Sequence, residues 1–263
     1  MNTREDIAFL VGSASRIRIF QAVADQPATP TSLADRCSCA RETAQRTLSG
    51  FVQRGWMAKE NGQYELTVGG ESVLEQYEQL TGVVDGASRL QQFLTNAGAT
   101  ADGFPIAAVA DDDGVTVTTA TAEDPHAPLD RYLTFLGTEP VGSFKGVSPI
   151  VSRVFNEAAE TIIGQKTEVK LVIDESVLSI SESEYPDALR RVGEIEQFTL
   201  LVAPEEIGVG LALVDGRAFV GAYDGHNNLV ATVDGRNDQL VAWTTSLYES
   251  YRESATQLDL TPA

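Results

Sequence analysis

Arg41, Glu42, Gln45, Arg46 and Ser49 lie in the stretch RETAQRTLSGFVQRGW at positions that share one side of a helix. Opposite them stand Ala44, Leu48 and Phe51 at i, i+4 and i+7. Each member of the polar set donates or accepts hydrogen bonds. Two of the types match base edges: a guanidinium suits guanine O6 and N7, and a Gln amide suits adenine N6 and N7. An exposed helix of this composition can bond to DNA; a plain solvated face would use the same residue types.

Elsewhere the residues that could do chemistry are sparse. Cys37 and Cys39 have one residue between them, too close for an ordinary disulfide, and no nearby His or further Cys completes a zinc set. Both read as small core residues. His126 is followed by Ala127-Pro128 and His226 by Asn227-Asn228, so neither forms the His-x-Lys unit of a phospholipase-D-like site. The sequence has no Walker loop, no Gly-x-Ser-x-Gly turn and no His pair at metal spacing, and Asp111-Asp112-Asp113 before Gly114 reads as a turn. No catalytic residue, metal site or cofactor is expected, and the chain reads as a non-enzyme.

One segment, VGSFKGVSP at 141–149, gathers Gly142, Ser143, Lys145, Gly146 and Ser148 ahead of a helix expected to start at Pro149 with Ser148 as its cap. Free N–H groups, hydroxyls and a lysine there could hold an anionic effector; a flexible connection would look the same. A pocket lined by Tyr223 and Trp243 is the other candidate seat for an effector.

The elements that must position these groups fall into two textures. Residues 1–66 carry 8 basic against 7 acidic side chains and residues 67–263 carry 11 against 31, so the formal charge of −19 resides in the second part. That part repels nucleic acid and anionic membranes. No apolar run approaches the roughly 18 residues of a membrane span, so a cytoplasmic protein with no membrane partner is expected. In the first part, SRIRIFQAVADQ, TSLADR capped by Thr31, and a helix from about Ala40 to Arg54 precede a hairpin through Asn61-Gly62, whose tip also carries Lys59. Short helix, turn, second helix and wing spell a winged helix-turn-helix over 1–70, with the second helix in the major groove and the wing on the backbone.

Residues 71–97 form a helical connector with apolar residues at Val73, Tyr77, Leu80, Val84, Ala87, Leu90 and Leu94, near-heptad spacing that suits either a homodimer seam or packing on its own domain. Residues 98–263 alternate helix and strand. PIAAVADDDGVTVTTAT reads as a hairpin at Asp113-Gly114, SPIVSRVFNEAAETII as a helix, VKLVID and FTLLVA as buried strands, and 238–256 as a final helix with Val241, Trp243, Leu247 and Tyr251 inward. The fold class is therefore α/β (α+β): a winged helix, a connector and a mixed α/β domain.

ADRCSCARETAQRTLSGFVQRGWM resembles the recognition unit of archaeal winged-helix transcription regulators. The resemblance implies base contacts at Arg41, Thr43, Gln45 and Arg46 and places the family's small turn residue on Ser38. Across about 135–258, the stretches VKLVIDESVL, GVGLALVDGRAFVGAYD and AWTTSLYESYRESA are similar to the sensor domain of the methanogenesis regulator FilR, found behind many haloarchaeal winged helices. Only four lysines among 19 basic residues, on an acidic chain, likewise resemble proteins of salt-loving archaea. Together these imply a transcription regulator that binds double-stranded DNA as a homodimer and senses a small molecule. A winged helix that meets protein in a transcription or replication assembly is the alternative.

Overall fold

The computed structural model describes residues 2–260 and divides into two compact units, 1–81 and 82–263. The first unit contains α1 (Thr3–Val11), α2 (Ala14–Asp25), α3 (Pro30–Arg36), α4 (Arg41–Gln53) and the hairpin β1 (Met57–Glu60) and β2 (Gln63–Leu66). Its core forms because each helix buries one stripe. Ile19 and Phe20 of α2, Leu33 of α3, and Ala44, Leu48 and Phe51 of α4 are fully covered. Phe20 stacks on Phe51 at 4.6 Å, and Phe9 meets the Phe51 edge at 5.5 Å. Asn61 and Gly62 both have positive φ, the geometry a two-residue hairpin demands. Tyr64 exchanges two backbone hydrogen bonds with Ala28, tying the hairpin to the loop before α3.

Thr29, not Thr31, caps α3, accepting from the Ser32 N–H at 3.3 Å, because Pro30 occupies the first helical turn. Ser38 takes φ 52° in the turn to α4. Cys37 is buried and Cys39 packs against the same core, and burial foremost raises the Cys37 thiol pKa.

The connector is one helix, α5 (Val68–Arg89), broken at Leu90 before α6 (Gln91–Ala97). Gly70 is required in its first turn, since a Cβ there would lie 1.9 Å from the Trp56 carbonyl oxygen. The expected seam is divided. Val73 and Tyr77 pack on the first core and Leu90 and Leu94 on the second, while Leu80, Val83 and Val84 remain exposed.

The second unit is a mixed α/β layer structure around an eight-stranded sheet. Its strands are β3 (Val115–Thr119), β4 (Ser143–Ser148), β5 (Glu168–Asp174), β6 (Phe198–Ala203), β7 (Val209–Val214), β8 (Arg217–Tyr223), β9 (Leu229–Gly235) and β10 (Thr256–Gln257). The order is β10-β6-β5-β4-β7-β8-β9-β3, with β4, β5 and β6 parallel and the other pairings antiparallel. One face is covered by α6, α7 (Ile106–Ala110) and α12 (Asp238–Ser254), the other by α8 (Ala127–Leu136), α9 (Arg153–Ile162), α10 (Glu175–Glu184) and α11 (Pro186–Gly193). Alternation along β8 shows the division: Val220 and Ala222 join the cluster with Leu240, and Phe219 joins Phe135 and Ile162.

Several expectations are corrected here. Residues 106–110 are helical and β3 pairs with distant β9, so no hairpin turns at Asp113-Gly114; a short apolar run does not distinguish helix from strand. Asp112 instead accepts from Gly114 N–H and from the Asn237 amide, which lowers its pKa. The helix expected from Pro149 starts at Arg153 with Ser152 as cap. In α12 the deepest residues are Leu240, Thr244 and Tyr248, with Val241, Trp243, Leu247 and Tyr251 flanking them half-buried. Among the described residues no single helix is long and apolar enough to cross a membrane, and α1 with α2 qualify only as a pair bent by 90°.

Candidate functional site

In the first unit, α4 presents Arg41, Glu42, Gln45 and Arg46 to solvent with Thr43 half-buried beside them. Arg41 and Arg46 enter no ion pair or hydrogen bond among the described residues. Three other arginines of the unit are engaged within it, since Arg54 pairs with Asp6 at 2.8 Å and lies over the Phe9 ring, Arg16 covers the same ring, and Arg36 donates to the Ala22 carbonyl, whereas Arg4 and Arg18 are exposed on α1 and α2. Burial, then Arg54, then Arg46 lower the Arg16 pKa. Gln45 is less free than its exposure suggests, because its amide donates to the Tyr64 hydroxyl at 3.1 Å. Lys59 and Asn61 are exposed on the hairpin, with Lys59 Nζ 5.5 Å from the Tyr64 ring centre.

The residues proposed for an anion do not converge. VGSFKGVSP is mostly strand: Ser143–Ser148 is β4, in the sheet between β5 and β7, so its N–H groups serve the ladder and no helix begins at its end. Strand alternation sends Lys145 and Ser148 to opposite faces. Lys145 meets Glu249 at 3.7 Å and the Tyr248 ring of α12, while Ser148 donates to the Ile150 carbonyl on the other side. Ser143 is exposed and its N–H donates to Asp215. Tyr223 and Trp243 are likewise separated. Trp243 Nε1 donates to the Asp102 carbonyl and its ring packs on Phe104 beneath one face, whereas Tyr223 lies on the other.

Tyr223 lines a cavity of about 150 Å³ between strands β4–β8 and helices α8–α11. Its floor is low because glycines, Gly146 and Gly210, occupy the inner face. A Cβ on Gly210 would stand 2.8 Å from the Tyr223 hydroxyl, and one on Gly146 would stand 2.6 Å from the Phe144 ring. Its walls are aromatic and aliphatic, with Tyr132 stacked on Phe155 at 4.8 Å and tilted on Phe219 at 5.0 Å. Burial raises the pKa values of Tyr132 and Tyr223, and the neighbouring Tyr132 adds to the rise at Tyr223. Both phenols are therefore neutral donors at ordinary pH. Sequence reasoning reached Tyr223 but missed Tyr132 and the cavity. The available signal was isolated glycines inside strand patterns, which mark a close approach to the backbone.

The first unit thus carries a helix with unpaired arginines on its outer face beside a hairpin, and the second unit holds a cavity of about 150 Å³. Residues 125–254, which supply every residue lining the cavity, match the family described as methanogenesis regulatory protein FilR1, middle domain. Residues 4–89 match the HVO_A0261 N-terminal domain. The two matches fall on the same two parts of the chain that carried the resemblances in its sequence.

No curated protein matches it. Among solved structures, TrmBL2, an archaeal chromatin protein with a novel mode of DNA binding, aligns over 94% of each chain at 13% identity and TM-score 0.43. A putative transcriptional regulator from Rhodococcus sp. RHA1 aligns over 92% of this chain and 96% of its own at 13% identity and TM-score 0.27. A putative O-methyltransferase from Nostoc punctiforme covers 76% and 61% at 17% identity and TM-score 0.26. Overlaps this loose carry no argument about chemistry, for the methyltransferase as for the regulators.

Proposed function

We propose that the chain is a sequence-specific DNA-binding transcription regulator that works without catalysis or a cofactor. Residues 1–70 act as a winged helix-turn-helix with α4 in the major groove, 71–97 as the connector, and 98–263 as the effector-responsive domain. The observation that carries this reading is the pair Arg41 and Arg46, exposed and unpaired on the one face of α4 that also bears Glu42 and Gln45. Arg16, Arg36 and Arg54 are engaged within their own unit. Holding a long guanidinium free of partners on an acidic chain fits a role in meeting phosphate and guanine. Glu42, Thr43 and Gln45 lie beside them, and Lys59 and Asn61 on the hairpin reach the adjoining backbone.

Leu80, Val83 and Val84, at i, i+3 and i+4 of α5, give a homodimer its seam, and two α4 helices on one two-fold read half-sites about one DNA turn apart. The acidic surface suits the cytoplasm of a haloarchaeon. Selection from a random duplex pool tests the reading. An enriched, two-fold motif is expected, and Arg46→Ala should weaken that site by about 1–3 kcal/mol while leaving random DNA nearly unaffected. A pool that enriches no motif would sink DNA reading and favour a winged helix that meets protein.

A further inference from the structure

We propose that the cavity between β4–β8 and α8–α11 binds a compact, uncharged, largely apolar ligand bearing one carbonyl or hydroxyl oxygen, which the Tyr132 and Tyr223 hydroxyls hold. Only the consequence of binding rests on the regulator reading above; the ligand class follows from the walls of the cavity.

Three observations converge. None of the lining residues is Asp, Glu, Lys, Arg or His, so a carboxylate, phosphate or amine entering the cavity would lose its hydration with no countercharge to replace it. The hydroxyls of Tyr132 and Tyr223 make no hydrogen bond to the described protein, although Tyr223 is only 9% exposed and buried phenols ordinarily find a partner. The serine hydroxyls at the cavity are already used, Ser148 donating to the Ile150 carbonyl and Ser181 to the Val177 carbonyl, while a third phenol, Tyr185, lines it at the junction of α10 and α11. The oxygen of the ligand therefore has two phenols to meet, close enough to each other that Tyr132 raises the pKa of Tyr223. Size sets the last limit. About 150 Å³ lined by apolar groups accommodates a molecule of roughly one aromatic ring. The glycines serve this purpose, since a side chain at 146 or 210 would occupy the space beside Phe144 or Tyr223.

The test uses the full chain and three probes of one size: phenol, toluene and benzoate. Calorimetry should show phenol binding about tenfold more tightly than its isostere toluene, the worth of one retained hydrogen bond, with no benzoate binding. Tyr132→Phe with Tyr223→Phe should erase the phenol advantage and leave toluene binding intact. Ala159→Phe, and separately Ala188→Phe, should fill the cavity and abolish both, with methyl resonances of Val177, Leu189 and Leu200 reporting the site. Benzoate binding as well as phenol, equal phenol and toluene affinities, or binding that survives both filled variants would each overturn the proposal. Phenol that binds as expected but leaves affinity for the selected DNA unchanged would instead sink the effector reading and keep the ligand class.

Discussion

Raising the pH should destabilise the second unit through two phenols. Burial lifts the pKa values of Tyr132 and Tyr223 well above those of a free tyrosine, with Tyr132 adding to the shift at Tyr223. The unfolded chain releases these protons near pH 10, whereas the native state keeps them. Above that point the unfolded state binds fewer protons, so stability is intact below about pH 10 and falls as the pH rises towards the native values. Each phenol costs about 1.4 kcal/mol by pH 11, and the pair about 2.8 kcal/mol. Tyr248, pushed up to about 12, and Tyr251, also raised by burial, add to the same slope and must be held constant. The comparison is therefore between the parent and Tyr132→Phe with Tyr223→Phe, in a Trp56→Phe background that leaves Trp243 to report urea unfolding of its own unit. The double variant should lose about 2.8 kcal/mol less than the parent between pH 8 and 11. Near-ultraviolet phenolate absorbance gives a second reading. If both phenols ionise in the native protein near the pH at which free tyrosine does, or if the two slopes coincide, the cavity is wet and the burial argument fails.

Other perturbations probe the scaffold. Arg131 of α8 grips the buried Asp234 of β9 through Nε at 2.7 Å and Nη2 at 2.5 Å, so Arg131→Met should cost about 3–5 kcal/mol in the same urea assay, and adding Asp234→Leu should recover most of it. Ser38→Gly should stabilise the first unit by about 0.5–1 kcal/mol, read by Trp56 fluorescence, because glycine takes φ 52° without the steric cost serine bears. Light scattering should find a dimer that Leu80→Glu with Val84→Glu converts to a monomer; a parent that is already monomeric removes the seam.

Much of the fold was legible because local signals agree with tertiary ones. The i, i+4, i+7 stripe Ala44, Leu48, Phe51 and the Asn61-Gly62 turn need only their own neighbours to take shape. The same holds for Arg41 and Arg46, whose exposure follows from the stripe opposite them. What failed was long-range. VGSFKGVSP carries loop-like glycines and serines, yet β5 and β7 claim its backbone from 20 and more residues away, and β3 finds its partner in β9. The hydrogen bond of Gln45 to Tyr64, on the hairpin, was out of reach for the same reason. The cavity could not be seen at all, since its lining comes from strands and helices scattered over some 90 residues, from Tyr132 to Tyr223, and only their packing makes it.

The charge of the second part gains a different meaning once the anion site is gone. A surface with 31 acidic and 11 basic residues raises a barrier to every approaching anion, and a lone lysine tied to Glu249 does little to lower it. Salt screens that barrier over about 10 Å at 0.1 M and about 3 Å at 1 M, so the entry of an anion would depend strongly on ionic strength. A neutral ligand meets no such term. Its affinity rests on apolar area and on hydrogen bonds to Tyr132 and Tyr223, both shielded inside the cavity. The contacts with phosphate proposed for α4 would weaken steeply as salt rises, by counterion release. If the interior takes an uncharged molecule and α4 meets DNA, as proposed, phenol affinity of the full chain should change far less between low and molar salt than its affinity for the selected DNA.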